Sequence, residues 1–329
     1  MNVLCRLSDK AMNTIPDLLK DAFEQAKFLT SGYEDKKIIN KLGLNYMKID
    51  VCPKDCKLYL GDEKHLEAYN TCGTSRWKPK KKKKIATKIL HYFPLEPRLQ
   101  RLFPCFKITL DIRCHALENN KDWWLRYPRD GEACKTFDLI HPEFALDPQT
   151  IRLGLATNGF SPTSTLSATY SIWPVFFSPY NLPPWMFMKY TSFILSMIIP
   201  GKKSLGNNID VYLRPVVEEL CELWNDGIEI FDSSLNENFR LHATLIWTNS
   251  DFPGLGMFFG WNTHVGLACL TCSFDAKPCR LYNGKMWCFM SHQHFLSKNY
   301  RFRLAHVHFD VNTEKQNPLL KVSGSNIFG

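Results

Sequence analysis

Between residues 151 and 254 the sequence carries an order of elements that constrains the fold more than its composition does. "IRLGLATNG", "LSATYSIWPVFFSPY" and "TSFILSMIIPG" are three successive apolar runs of strand length, separated by turn residues. "NNIDVYLRPVVEELCELWND" (207–226) follows. Its Ile209, Leu213, Val216, Val217, Leu220, Leu223 and Trp224 form one helical stripe behind Asn207 or Asn208 as the cap. Pro215 is predicted to kink this helix. "RLHATLIWTNSDFPG" (240–254) then reads as a further buried strand, with Asp251 just past its end.

Three strands, a helix and a strand ending in a carboxylate give the order of an RNase H-like α/β core. In that fold the first and fourth strands are parallel neighbours. The ends of 152–157 and 242–248 are therefore predicted to lie side by side, with Asn158 and Asp251 together at one edge of the sheet. A sheet of this kind that binds Mg²⁺ carries an aspartate where this chain has Asn158. An amide offers the ion one neutral oxygen, whereas Mg²⁺ favours hard, anionic ligands.

Upstream, residues 1–50 read as a helical segment, with apolar spacing over 15–29 and a second helix that stops at Gly43. Residues 51–78 read as a degenerate zinc ribbon. Short strands and turns flank Cys52, Cys56 and Cys72, and "TCGTSRW" has a thiolate just before a glycine turn. Tyr69 stands where a C-x2-C pair would place the fourth thiolate, and His65 is a candidate substitute. The alternative is a ribbon with free thiols. Residues 79–150 read as a basic linker and a helix. Lys80, Lys81, Lys82, Lys83 and Lys84 are consecutive, which predicts an exposed, self-repelling run suited to nuclear import or phosphate contact. "EPRLQRLFPCFKITLDIRCHA" (96–116) reads as one helix with Leu99, Leu102, Phe103 and Phe106 on one face.

The chain's 329 residues carry a formal net charge of +9, which favours an acidic partner such as nucleic acid. No uninterrupted apolar stretch has the length needed to cross a bilayer, so no membrane partner is expected. The twelve cysteines cluster at metal-ligand spacings, which argues for a reducing compartment over a disulfide framework. Beyond Asp251, Cys269, Cys272, Cys288 and His292 form C-x2-C-x15-C-x3-H, a spacing suited to one tetrahedral zinc ion. Cys279, His264 and His294 fall outside that pattern. Residues 255–296 are thus read as a zinc-binding insertion and 297–329 as a tail. Asp210 reads as a helix N-terminal acid, and no phosphate-binding G-x-x-x-x-G-K-[ST] loop is present.

Many collinear blocks, among them "KIDVCPKDCKLY", "CGTSRWK", "YFPLEPRLQRLF", "DGEACKTFD", "HPEFALDPQTIRLGLATNGFSP", "FILSMIIPG", "LIWTNSDFPGLGMFFGW" and "WCFMSHQHFL", resemble the transposase of plant CACTA (En/Spm-type) DNA transposons. The resemblance runs over nearly the whole chain. It implies an RNase H-like DDE enzyme in which three carboxylates hold two Mg²⁺ ions about 4 Å apart for DNA cleavage and strand transfer. It also implies transposon-terminal DNA as partner, self-association, and the nucleus as the site of action. By that resemblance residues 151–254 are a partial catalytic core. Asn158 stands at the first aspartate, Asp251 matches the second, and the third, a glutamate, is expected beyond Gly329. Cys134 and Cys114 stand where the family has tryptophan. The expectation is a truncated, catalytically inactive transposon-derived protein. One alternative is an active enzyme using a displaced carboxylate such as Asp210 or Asp232. Another is a non-enzymatic nuclear zinc module that binds DNA or protein.

Overall fold

The structure is a computed structural model. It describes residues 45–69, 72–79, 83–117, 128–159, 171–201, 208–251, 254, 256, 258, 260, 277–290, 292–304, 315, 317 and 318. The helices expected over 15–29 and 33–43 lie outside these residues. The chain divides into two compact units, 1–251 and 252–329. Among the described residues no helix is long and apolar enough to cross a membrane.

The first unit is built on a six-stranded mixed sheet. Its strands are β1 (Met47–Val51), β2 (Lys88–Tyr92), β3 (Ile151–Thr157), β4 (Ser171–Pro179) and β5 (Ile194–Gly201), with a sixth strand, Ala243–Ser250. A separate hairpin of β6 (Ile228–Asp232) and β7 (Glu237–Leu241) precedes that sixth strand, which is therefore β8. The order across the sheet is β1-β2-β5-β4-β3-β8. β3 and β8 run parallel, and the other neighbours are antiparallel.

β3 lies inside the sheet and is buried along nearly its whole length, with Ile151, Leu153 and Leu155 in the core. That burial explains why its sequence is a continuous apolar run rather than an alternating one. Its one charged residue, Arg152, is also buried and pairs with Asp138 at 2.7 Å. Gly154 sits at the register shift between β3 and β8, where any Cβ would overlap the Tyr180 ring. The parallel β3–β8 pair is joined by a crossover that includes helix Ile209–Asn225. The helix buries Ile209, Tyr212, Pro215, Val216 and Leu223. The buried stripe is thus rotated from the expected one. Val217 is about half exposed, and Tyr212 takes an inner position with its hydroxyl on the Asp55 carboxylate. The helix continues through Pro215.

Two expected elements are divided. Residues 96–116 form two helices, Glu96–Gln100 and Phe106–Leu117, with a turn between them. Pro104 lies in that turn. It lacks an amide proton and disfavours helical geometry in the preceding residue. Leu99 and Phe103 are buried, whereas Phe106 is 58% exposed and lies off the expected face. The strand expected from 240 is also two strands. β7 ends at Leu241, β8 begins at Ala243, and His242 breaks the run.

In the second unit the described residues form one antiparallel hairpin, β9 (Lys277–Arg280) with β10 (Trp287–Met290), followed by short helical turns.

Candidate functional site

Parallel pairing carries Thr157 opposite Ser250, so Asn158 and Asp251 each follow the last paired residue of neighbouring strands. The Ser250 hydroxyl donates to the Thr157 carbonyl at 3.1 Å and holds the two ends together. Gly159 allows the chain to leave β3 against Trp173, since a Cβ there would overlap the indole. Asn158 and Asp251 line one open cavity of about 340 Å³ with Ala156, Thr157, Pro174, Phe176, Asn249 and Ser250. Both are exposed. Among the described residues Asp251 is the one carboxylate in this lining; the other polar side chains are two amides and two hydroxyls. A two-ion Mg²⁺ centre needs several anionic oxygens to offset the loss of hydration. The described lining does not by itself fit one.

The other acids considered for such a role are placed elsewhere. Asp210 is exposed in the first turn of helix Ile209–Asn225. Asp232 is fully buried at the end of β6 and is committed to structure. Its carboxylate accepts from the Ser234 amide and hydroxyl, both at 2.7 Å, from the Leu235 amide at 3.2 Å, and from Arg113 and Gln149.

A second cluster lies at the other edge of the sheet. Past β1 the chain turns back, with Asp55 N–H donating to the Cys52 carbonyl and Cys52 N–H to the Lys57 carbonyl, both at 2.9 Å. Asp55 takes a left-handed φ of 60° in this turn, which carries Cys52 and Cys56. A second turn closes with the Gly73 amide on the Tyr69 carbonyl at 2.8 Å, and it carries Cys72. The sulfurs of Cys52, Cys56 and Cys72 all lie within 4.8 Å of one another, with Cys52 and Cys72 at 3.4 Å. Thiolates about 2.3 Å from a tetrahedral zinc ion are separated by roughly 3.8 Å. Three ligands therefore fit such an ion.

His65 is exposed and stands outside this cluster. Tyr69, at the position of the fourth thiolate, has the Lys57 ammonium 5.4 Å over its ring. The thiols are not equivalent. Hydrogen bonds from Thr74 lower the Cys72 pKa to about 7. Desolvation, and then the neighbouring Cys52 and Cys72, push Cys56 up to about 11.

Arg76 organises the surrounding turns. Its Nε donates to Asp50 at 2.7 Å, and one terminal nitrogen donates to the carbonyls of Lys64 and Leu66. The cysteine turns are also tied to the core. Tyr212 donates its hydroxyl to Asp55 at 2.5 Å, and Lys88 pairs with the same carboxylate at 2.5 Å. No sequence signal identifies the Asp55–Tyr212 contact, which joins residues 157 positions apart.

The described residues on either side of the lysine run pair with one another. Trp77 bridges to Ala86, and the Lys78 amide donates to the Ile85 carbonyl at 2.8 Å. Lys83 and Lys84 are exposed, and Lys84 pairs with Glu67 at 2.5 Å. Lys80, Lys81 and Lys82 lie outside the described residues, as do Cys269, Cys272 and the His292 side chain. Cys288, on β10, stands directly across from Cys279 on β9 and donates to its carbonyl at 3.3 Å. The sequence pattern had set Cys279 aside. Its signal would have been the two short runs around Gly284, which read as a hairpin.

A family model described as transposase family tnp2 matches residues 122–329. No curated protein matches the chain. The family match covers more than half of the sequence and includes β3, β4, β5 and β8 with Asn158 and Asp251 at their strand ends; the chain belongs to the tnp2 family of transposases.

Proposed function

We propose that the chain derives from a DDE-class DNA transposase of CACTA type and has lost cleavage chemistry. The single observation that carries this reading is the strand-end cavity. Asn158 and Asp251 follow adjacent parallel strands, and only one of them is an acid. The order β5-β4-β3-β8, with its parallel β3–β8 pair, supports an RNase H-like core. The blocks shared with CACTA transposases support transposon-terminal DNA as the ancestral substrate and the nucleus as the site of action. The three-cysteine cluster supports a structural zinc ion held by Cys52, Cys56 and Cys72, which would cross-link the two turns. A second zinc ion at Cys269, Cys272, Cys288 and His292 belongs to the same reading and rests on spacing.

Asn158→Asp tests it. Returning one anionic oxygen beside Asp251 is expected to raise Mn²⁺ affinity about tenfold or more, since two carboxylates then face one cavity. Titration calorimetry reads that gain. Nicking of terminal-repeat DNA by the same variant is expected to stay at background, because a two-ion mechanism needs further carboxylate. Metal-dependent cleavage by the single variant would show that the chain supplies the remaining ligand, and would end the inactive reading. An unchanged Mn²⁺ affinity would remove the strand-end cavity as the ancestral metal site.

A further inference from the structure

We propose that Asn158 is a site of self-modification, at which the Gly159 amide displaces the side-chain amide and leaves a carboxylate beside Asp251. Asparagine is a labile residue, and the residue that follows it governs how readily it reacts. The sequence holds two Asn-Gly pairs, Asn158–Gly159 and Asn283–Gly284. In such a pair no side chain hinders the following backbone nitrogen, and glycine gives that nitrogen the widest range of approach. The modification rests on the geometry of the strand end and not on the catalytic ancestry.

The fold leaves the reacting groups free to meet. Asn158 is exposed and lies one residue past Thr157, the last residue of β3 to pair with β8. The Ser250 hydroxyl holds the Thr157 carbonyl. Beyond that carbonyl the ladder ends, and among the described residues no hydrogen bond engages the Gly159 amide. Asn249 is the contrasting case in the same cavity. It is also exposed, but it pairs with Ala156 within β8, and Ser250 follows it. Closing a five-membered ring there would break the ladder and crowd the serine side chain. Glycine at 159 is fixed by packing, because a Cβ would lie 2.4 Å from the Trp173 indole. The contact that demands Gly159 therefore also keeps Asn158 next to an unhindered nitrogen.

The step balances without an oxidant or reductant. The Gly159 nitrogen attacks Cγ of Asn158, and the new N–C bond closes a succinimide. Nδ2 leaves as ammonia, taking the proton that the Gly159 amide gives up. Water then opens the ring. Breaking the bond between Cγ and nitrogen gives aspartate; breaking the bond between the backbone carbonyl carbon and nitrogen gives isoaspartate. Either way water is consumed, ammonia is released and a neutral amide becomes an anionic carboxylate. Because the attacking nitrogen must lose its proton, conversion quickens as pH rises. On the reading of this cavity as an ancestral metal site, the new group adds an anionic oxygen beside Asp251. The chain thus acquires with age the acid that its sequence lacks.

The test follows the full chain by peptide mass mapping, freshly purified and then held for days at mildly alkaline and at mildly acidic pH. The peptide carrying Asn158 is expected to gain about 1 Da in most molecules at the alkaline pH and in few at the acidic one. Asn283, exposed in the β9–β10 turn, is the internal reference for the same chemistry, and Asn249 should keep its amide. Conversion at Asn283 with Asn158 intact overturns the inference. So does conversion of Asn249 as fast as Asn158, or no conversion of either Asn-Gly pair. Asn158→Gln, which must close a larger ring, is expected to keep its amide over the same period. Ion exchange separates the acid form of the aged chain by its added charge. Its Mn²⁺ affinity is expected to approach the roughly tenfold gain of Asn158→Asp. A mass gain at residue 158 without that rise keeps the modification and removes the metal reading of the cavity, so the two fail separately.

Discussion

Asp232→Ala is expected to lower the stability of the 1–251 unit by about 3–5 kcal/mol, because it leaves the Arg113 guanidinium without its buried partner. That is a large share of the roughly 5–15 kcal/mol that separates folded from unfolded domains. Asp232 closes the turn of the β6–β7 hairpin through Ser234 and Leu235. It also binds Arg113, from helix Phe106–Leu117, and Gln149, two residues before β3. Its removal therefore loosens three elements at once. Burial opposes the charge, but the hydrogen bonds from Ser234, the Leu235 amide and Arg113 outweigh it and hold the carboxyl below its ordinary value of 3.8. A depressed folded pKa stabilises above the unfolded value and loses that contribution as pH falls through the folded one. The gap in melting temperature between wild type and Asp232→Asn should thus be full at pH 7 and shrink below about pH 4. Equal melting of wild type and Asp232→Ala at pH 7 would refute the anchoring role.

On the zinc reading proposed for Cys52, Cys56 and Cys72, Tyr69→Cys is expected to add a fourth thiolate and to tighten zinc binding about 100-fold. Structural zinc sites with four ligands reach about 10–16 kcal/mol, so one ligand is worth on the order of 3 kcal/mol. The substituted residue lies in the turn that already carries Cys72, with Lys57 from the facing turn over its ring. Competition with a chromophoric chelator at pH 7.5 measures the change. An affinity equal to wild type would mean that residue 69 does not face the ion. Because binding displaces the proton of Cys56, whose pKa is pushed up to about 11, affinity in both proteins should fall with pH across the neutral range, and more steeply below about 7, where Cys72 also holds its proton.

The sheet around Asn158 and Asp251 was legible because its signals are local. β3 is apolar but for Arg152 and Thr157, the crossover helix has a helical apolar spacing, and Asp251 follows directly on β8. The break at Pro104 was equally local and was outweighed by apolar spacing on both sides. The β6–β7 hairpin was missed because its turn ends on Asn236, which has a left-handed φ of 56°, and its strands are short and half exposed. The three cysteines were legible as a set, but their tie to Tyr212 was not. Nothing local in "VYLRP" distinguishes a buried tyrosine with a distant acceptor from one at a solvated edge. Likewise, the charge of the lysine run could be read directly, whereas the pairing of Trp77 with Ala86 could not.

The tnp2 match begins at residue 122, yet the sheet begins with β1 and β2, well before it. β5 joins that hairpin through His91 opposite Ile198, Tyr92 opposite Met197, and the Phe93 amide on the Ser196 carbonyl at 2.7 Å. The strand so covered, "ILSMIIPG", is uncharged, with only Ser196 and Pro200 breaking its apolar character. A protein cut at the family boundary would present that strand's bare amides and carbonyls to solvent. A long, flat, apolar edge of this kind recruits the same strand from another molecule. The paired strands β1 and β2 thus cover an edge that would otherwise be open to self-templated pairing.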